Sequence, residues 1–208
     1  DHEKLEIPVR LSYDVSPDTS IFVVGSYNTR KYDQQPPTVA VTRDSDGYDV
    51  GVGAAFDFTN LIRGEAFVGY LEQEYDQGGF QKVDGIDFGL NGEWYASELT
   101  TVTAGINRTV EESSSAGSQG HLDTNYQIGI AHELQRNIIL TADASYLDVK
   151  FEGITRDDET ISAGVGGQYL VNRNAELALG YDYASRNSSL AGQDYDKNVV
   201  GLSLILKM

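Results

Sequence analysis

Three kinds of residue in this chain have the means to do chemistry: three histidines, short runs of carboxylates, and acidic side chains repeated at even spacing. Nucleophilic hydrolysis needs a hydroxyl or an activated water beside a histidine and a carboxylate. His2 stands at the amino end, His121 beside a serine-rich segment and His132 near Gln135-Arg136-Asn137, so their spacing assembles no such group. Asp44-Ser45-Asp46-Gly47 has the carboxylate and glycine spacing that opens many calcium loops. The closing glutamate and remaining ligands are missing, and an ordinary turn before a strand accounts for the run. Asp157-Asp158-Glu159 and Asp194-Tyr195-Asp196 read as solvated loop tips, or as carboxylates that meet divalent ions among lipid headgroups. No catalytic residue, metal site or cofactor is expected.

The other carboxylates belong to a rhythm. Eleven segments of about ten residues alternate apolar with polar at a period of two. In the clearest, Tyr48, Val50, Val52, Ala54, Phe56 and Phe58 interleave with Asp49, Gly51, Gly53, Ala55 and Asp57. Soluble sandwiches alternate too, but their strands are typically about five or six residues long. Strands of about nine residues or more, with one apolar face, suit a transmembrane barrel whose outside meets lipid and whose inside is wet.

The connectors alternate as well. Tight turns at Ser16-Pro17-Asp18-Thr19, Thr59-Asn60-Leu61-Ile62, Ser97-Glu98-Leu99, Gln135-Arg136-Asn137 and Asn172-Arg173-Asn174 follow the odd-numbered segments. Longer polar loops follow the even ones: 33–46 with Pro36-Pro37, Asp76-Gln77-Gly78-Gly79, Ser113 to Ser118, Gly153 to Glu159, and 187–196. In outer-membrane barrels the short turns lie in the periplasm and the longer loops face outward. The expected fold is therefore all-β, an antiparallel up-and-down transmembrane barrel, with residues 1–208 as a single region. The phase of the second segment, 20–32, stays open, because Phe22 and Val24 compete with Ile21 and Val23 for the lipid side.

Composition agrees. No run of eighteen apolar residues exists to form a spanning helix, and a mean hydropathy of -0.35 is what a chain shows when only alternate residues face lipid. A net charge of -17 excludes a phosphate-neutralising nucleic-acid surface. The absence of cysteine removes disulfides, thiolate catalysis and cysteine-held zinc. Asp1-His2-Glu3-Lys4 is not a signal peptide. Eleven strands leave the first and last running the same way, whereas closure demands antiparallel neighbours. At least one further strand preceding Asp1 in the gene product is expected, giving twelve or more.

Aromatic residues fall at two levels: Tyr48, Tyr70, Tyr146 and Tyr183 toward the loops, Tyr13, Phe58, Trp94 and Tyr169 toward the turns. Amphipathic rings favour headgroup depth, so these form the expected girdles. A charge on the lipid face at the bilayer centre costs roughly 2–4 kcal/mol, which assigns Asp49, Asp57, Asp87, Glu93, Asp123, Glu133, Asp143, Glu176, Asp182, Arg10, Arg186 and Lys207 to the lumen. An acidic excess there favours cations if the lumen is open. The other reading pairs those charges within a closed interior.

Several phrases resemble one family: Arg43-Asp44-Ser45-Asp46-Gly47-Tyr48-Asp49-Val50-Gly51-Val52-Gly53, Arg108-Thr109-Val110-Glu111-Glu112, His132-Glu133-Leu134 with Arg136-Asn137, and Tyr169-Leu170-Val171-Asn172-Arg173-Asn174. Together they look like the putative β-barrel porin 2 family of outer-membrane proteins. The resemblance implies a bacterial outer-membrane barrel, often regarded as a porin and sometimes linked to exopolysaccharide export, longer than this chain at its amino end. It carries over no catalytic residues. Met208 departs from the terminal aromatic common in such barrels. Expected functions are a pore or export conduit for small solutes or polysaccharide, or else a non-conducting barrel that presents loops. Expected partners are outer-membrane lipid and lipopolysaccharide, other envelope or polysaccharide-export proteins, and the preceding strands of the same gene product.

Overall fold

A computed structural model describes residues 2–32, 44–76, 82–113, 115, 117–118 and 120–206, and every helix or strand among them is a strand. Extended backbone follows from the alternation, since apolar residues at every second position make no helical stripe but cover one face of a strand. In chain order the strands are β1 (His2–Ser16), β2 (Thr19–Tyr32), β3 (Ser45–Thr59), β4 (Ile62–Tyr75), β5 (Val83–Ser97) and β6 (Thr100–Glu112). They continue with β7 (Gly120–Gln135), β8 (Ile138–Phe151), β9 (Asp157–Asn172), β10 (Ala175–Ser188) and β11 (Tyr195–Leu206). Each pairs antiparallel with the next in one 11-stranded sheet whose spatial order is the sequence order. β1 and β11 are its edges, and they run in the same direction.

The tight turns share one construction. Each two-residue reversal is accompanied by a register shift, at Asp14/Ser16, Asp57/Thr59, Tyr95/Ser97, Glu133/Gln135 and Ala175/Glu176. In four of them the last strand residue accepts a hydrogen bond from the backbone N–H two positions on. Ser16 takes Asp18 at 3.3 Å, Thr59 takes Leu61 at 3.2 Å, Ser97 takes Leu99 at 3.3 Å and Asn172 takes Asn174 at 2.8 Å. Short hydroxyl and amide side chains thus mimic the turn's own backbone bond.

Strands of 12 to 16 residues exceed the roughly 9–11 that cross the hydrocarbon. The excess extends at the loop end and corrects three expectations. Ser45, Asp46 and Gly47 are strand rather than turn, with Ser45 buried and accepting Gln73 Nε2 at 2.9 Å. Asp157-Asp158-Glu159 opens β9, and Asp158 is 2 % exposed, so it is not a solvated tip. Tyr195-Asp196 opens β11, where Asp196 accepts the Tyr183 hydroxyl at 3.0 Å. The Pro36-Pro37 loop, Gln77-Gly78-Gly79, Asp1, Arg43, Lys207 and Met208 lie outside the described residues.

The two faces of the sheet differ in kind. Leu5, Ile7, Val9 and Leu11 of β1, Val50 and Val52 of β3, Ile128 and Ile130 of β7, and Val200, Leu202 and Leu204 of β11 all stand exposed on one face. Many of their neighbours on the other face are charged, hydroxylic or glycine, among them Glu6, Arg10, Ser12, Asp49, Gly51, Gly129 and Ser203. The second strand resolves its phase here: Ile21, Val23 and Tyr27 are exposed on the apolar face, whereas Phe22 is 3 % exposed on the polar one. Its ring lies where a side chain on Gly53 would otherwise stand, 2.3 Å from that position, and the Arg10 guanidinium covers it at 3.6 Å. Arg10 continues across to β4 and donates to both oxygens of Glu65, at 3.0 and 2.8 Å. A contact from β1 to β4 on this side shows the wall to be concave on its polar face.

Burial is concentrated at the loop end. Ser45, Leu71, Gln73, Tyr75, Val83, Ser113, Ser118, Thr124, Val149, Arg156, Asp158 and Thr160 are buried there, and among the described residues Phe22 is the buried side chain lower in the wall, where glycines such as Gly51 and Gly105 are buried too. One seam departs from the uniform ladder. β5 and β6 pair from Ser97↔Thr100 to Gly89↔Asn107 and no further, although β4–β5 pairing continues to Gln73↔Val83 and β6–β7 pairing to Glu112↔Gly120.

The faces give a direct test. Val165→Arg places a charge on the apolar face midway along β9 and should lower folding stability in lipid vesicles by about 2–4 kcal/mol in a urea titration. Ala178→Arg, on the polar face of the adjacent strand, should cost less than about 1 kcal/mol.

Candidate functional site: the polar face and its vestibule

Period-two alternation carries the site. Asp49, Asp57, Asp87, Glu93, Asp123, Glu133, Asp143, Glu176, Asp182, Arg10 and Arg186 all project from the face opposite the exposed aliphatic side chains. The structure brings some of them together. Asp143 of β8 and Asp182 of β10 lean over Gly164 of β9: a Cβ on that glycine would lie 2.7 Å from Asp143 Oδ1 and 3.1 Å from Asp182 Oδ1. Any side chain at Gly164 would push these carboxylates apart. Lys197 lines the same hollow of about 300 Å³.

Three other carboxylates have named partners. Asp49 accepts Ser26 Oγ at 2.7 Å, and Glu93 takes Arg63 through Nε at 2.8 Å and Nη2 at 2.6 Å. Asp123 contacts His121, whose ring also tilts against Phe151 with centroids 5.0 Å apart. No serine or threonine hydroxyl joins that pair among the described residues. His132 stands on the apolar face within 2.9 Å of Thr100 Oγ1, so two of the three histidines are far apart on opposite faces. Among the described residues no group of three metal-ligating side chains converges.

At the turn end the polar face opens into a vestibule of about 780 Å³. Asp14, Asp18, Asp57, Glu65 and Glu93 line it with Arg63 as their cationic neighbour. Gln127, Asn91 and Thr103 add oxygen and amide groups to a wall that also carries Phe56, Ala55 and Ala104.

At the loop end the same face is filled. Arg156 donates Nε at 2.9 Å and Nη2 at 2.5 Å to the two oxygens of Asp158, and Nη1 at 2.9 Å to Ser115 Oγ. Its plane lies 4.3 Å from the Phe151 ring, and Ser188 donates to Asp158 as well, at 2.5 Å. The carboxylate raises the Arg156 pKa above its ordinary value. This network joins the β6–β7 loop to β9 and β10. Sequence reading missed it, because a cation in an acidic loop announces no partner; the i, i+2 spacing of Arg156 and Asp158 was the one available signal.

The apolar face carries the girdles. Tyr48, Tyr70, Tyr146 and Tyr183 lie toward the loops and Tyr13, Phe58, Trp94 and Tyr169 toward the turns, all on that face. The loop-side hydroxyls repeat one contact: Tyr70 donates to Asp84 at 2.5 Å and Tyr183 to Asp196 at 3.0 Å. Tyr27 donates to Asp46 at 2.9 Å and Tyr181 to Asn198 at 2.7 Å, which adds two residues to this level. Ring in oil and hydroxyl on a polar acceptor is the arrangement that headgroup depth rewards.

The sequence matches the family described as Putative beta-barrel porin 2 over residues 1–208. The chain belongs to that family. Solved structures of similar fold include bacterial transporters, receptors and an outer membrane protein. One is the FrpB iron transporter of Neisseria meningitidis, with a TM-score of 0.64, 8 % identity, and coverage of 90 % of this chain and 37 % of that one. The siderophore receptor PirA of Pseudomonas aeruginosa gives 0.57 at 13 % identity, covering 96 % and 41 %. OmpT of Vibrio cholerae, an outer membrane protein, gives 0.50 at 11 % identity, covering 99 % and 82 %. A sequence comparison with curated proteins gives no match. This porin-family chain spans 37 % of the first of these structures, and the likeness is one of fold: an antiparallel β-barrel of the bacterial outer membrane.

Arg156 offers the sharpest test of the filled end. Its side chain is 9 % exposed and that of Asp158 3 % exposed, so Arg156→Ala leaves a buried carboxylate without its bidentate partner. Stability should fall by about 3 kcal/mol. Arg156→Lys should recover little of it, because an ammonium lacks the planar fork. Denaturant unfolding monitored by heat-modifiable gel mobility reads both.

Proposed function

We propose that this porin-family barrel is an outer-membrane pore or export conduit for small solutes or polysaccharide, with a lumen biased toward cations. The observation that carries the reading is the water-accessible vestibule at the turn end, where Asp14, Asp18, Asp57, Glu65 and Glu93 outnumber Arg63 and the Arg10 that pairs with Glu65. One sign of charge in a cleft with low-dielectric walls focuses the field and concentrates ions of the other sign. Asp143 and Asp182, poised over Gly164, extend that bias further along the wall.

The two sheet edges run the same way, so the proposed pore closes through an odd number of further strands. The same gene product is the proposed source. Lipid and lipopolysaccharide meet the apolar face, and envelope or polysaccharide-export proteins are the proposed partners of the loops. A second reading, a non-conducting barrel that presents its loops, is favoured by the packing of the loop end around Arg156 and Val83.

Planar-bilayer recordings of the full-length protein under a potassium chloride gradient separate the two. The pore reading expects discrete conductance steps with a cation-selective reversal potential. The triple variant Asp57→Asn, Asp143→Asn, Asp182→Asn should roughly halve the cation-to-anion permeability ratio. Correctly folded barrels that pass no current would establish the non-conducting reading instead.

A further inference from the structure

The seam between β5 and β6 joins faces that the alternation keeps apart. Above Gly89↔Asn107, the polar face of the β4–β5 tip covers the apolar face of the β6–β7 tip. Val83, 0 % exposed, lies with its Cγ2 3.0 Å from the Cβ position of Gly120, and the Tyr75 hydroxyl lies 3.2 Å from the same point. A Cβ on Gly85 would stand 3.9 Å from Leu122. Thr124, in the phase of the exposed aliphatics, is nevertheless 3 % exposed and accepts Arg108 Nε at 3.0 Å. The loop ends of β6 and β7 therefore sit inside the wall rather than in line with it.

That arrangement contradicts the sequence pattern in a specific way. Val110 and Leu122 occupy the lipid-facing phase, together with Ile86 on β5. Continuing the ladder at its own register would pair Phe88 with Arg108, Asp87 with Thr109 and Ile86 with Val110, and return Val110 and Leu122 to the outer face, where Ile86 already stands exposed. The backbone groups that would form those bonds, on β5 toward β6 and on β6 toward β5, do not pair with each other in the present arrangement. Gly89 lies nine residues from the turn end of β5 counted from Ser97, about the length of strand that crosses hydrocarbon. Beyond that depth water satisfies an open ladder, so the tear is tolerated there and nowhere lower.

We propose that this seam is a two-state shutter at the outer mouth of the pore. In the overlapped state the β6–β7 tip folds inward, latched by Val83 and Tyr75 against Gly120, and the mouth is narrow. In the zipped state the β5–β6 ladder completes itself, the tip rejoins the wall, and the mouth widens. The β6–β7 loop moves with its neighbour as one body, through Arg156 to Ser115 and through Glu152 N–H to Gly120 O at 3.0 Å. The shutter's effect on current rests on the pore reading, whereas its two wall states do not.

The 208 residues contain no cysteine, so within them disulfide trapping has no background. Val83→Cys with Gly120→Cys should cross-link the overlapped state, and Ile86→Cys with Val110→Cys the zipped one. Both are made in the full-length protein folded into vesicles, with bond formation read as a gel shift reversed by reductant. Each pair is expected to close. In bilayers, oxidising the first should lower single-channel conductance about two-fold or more, and oxidising the second should hold the channel at its highest level, both reversed by reduction. Failure of either disulfide in a barrel of normal heat-modifiability overturns the two-state wall. Conductance indifferent to both closed bonds overturns the shutter while leaving the pore intact. A wild type that passes no current removes the pore, and the gel shifts alone then decide whether the seam has two states.

Discussion

Everything in this wall depends on one prohibition: no backbone N–H or C=O can be left unpaired in hydrocarbon, where each would cost several kcal/mol. A sheet that joins every strand to its sequence neighbour meets it with the shortest connections available. Alternation then follows as a corollary. Once each strand is paired on both sides, its side chains have two places to go, and lipid accepts one set while water accepts the other. The register shifts beside the turns, with their serine, threonine and asparagine caps, end the ladder without leaving donors exposed to oil.

Where the hydrocarbon stops, the prohibition lapses, and the structure changes character there. Strands overrun the membrane at the loop end, Arg156 and Asp158 tie the β6–β7 loop to β9 and β10, and the β5–β6 ladder comes apart. The turn end keeps short reversals and an open, acid-lined vestibule. A barrel wall with a packed outer end and a wet inner end is asymmetric along its axis even though its strands are nearly uniform.

Most of the wall was legible in the sequence because period-two alternation reports side-chain direction residue by residue. Asp143, Asp182 and Glu93 could be assigned a face on that ground alone. It failed where two apolar residues competed in adjacent phases. Phe22 took the polar side because Gly53 left space for its ring and Arg10 covered it, and the sequence marks neither contact. Tyr27 was lost with the same phase. Alternation also says nothing about where a strand outlives the membrane, so Ser45, Asp158 and Tyr195 read as turn and loop. Val110 and Leu122 fall in the lipid-facing phase, yet the overlapped seam turns them inward, because pairing between strands is a tertiary fact that a single strand's pattern does not contain.

The strand order has a kinetic consequence. With spatial order identical to sequence order, every ladder in this wall closes over one turn or one loop, so no strand pairing within it waits on a distant part of the chain. Loop-closure entropy is incurred in small equal instalments, and contact order stays low for an all-β protein of this size. Assembly can advance hairpin by hairpin, each completed strand serving as template for the next, with the growing edge and β1 the only edges exposed to mispairing within this sheet.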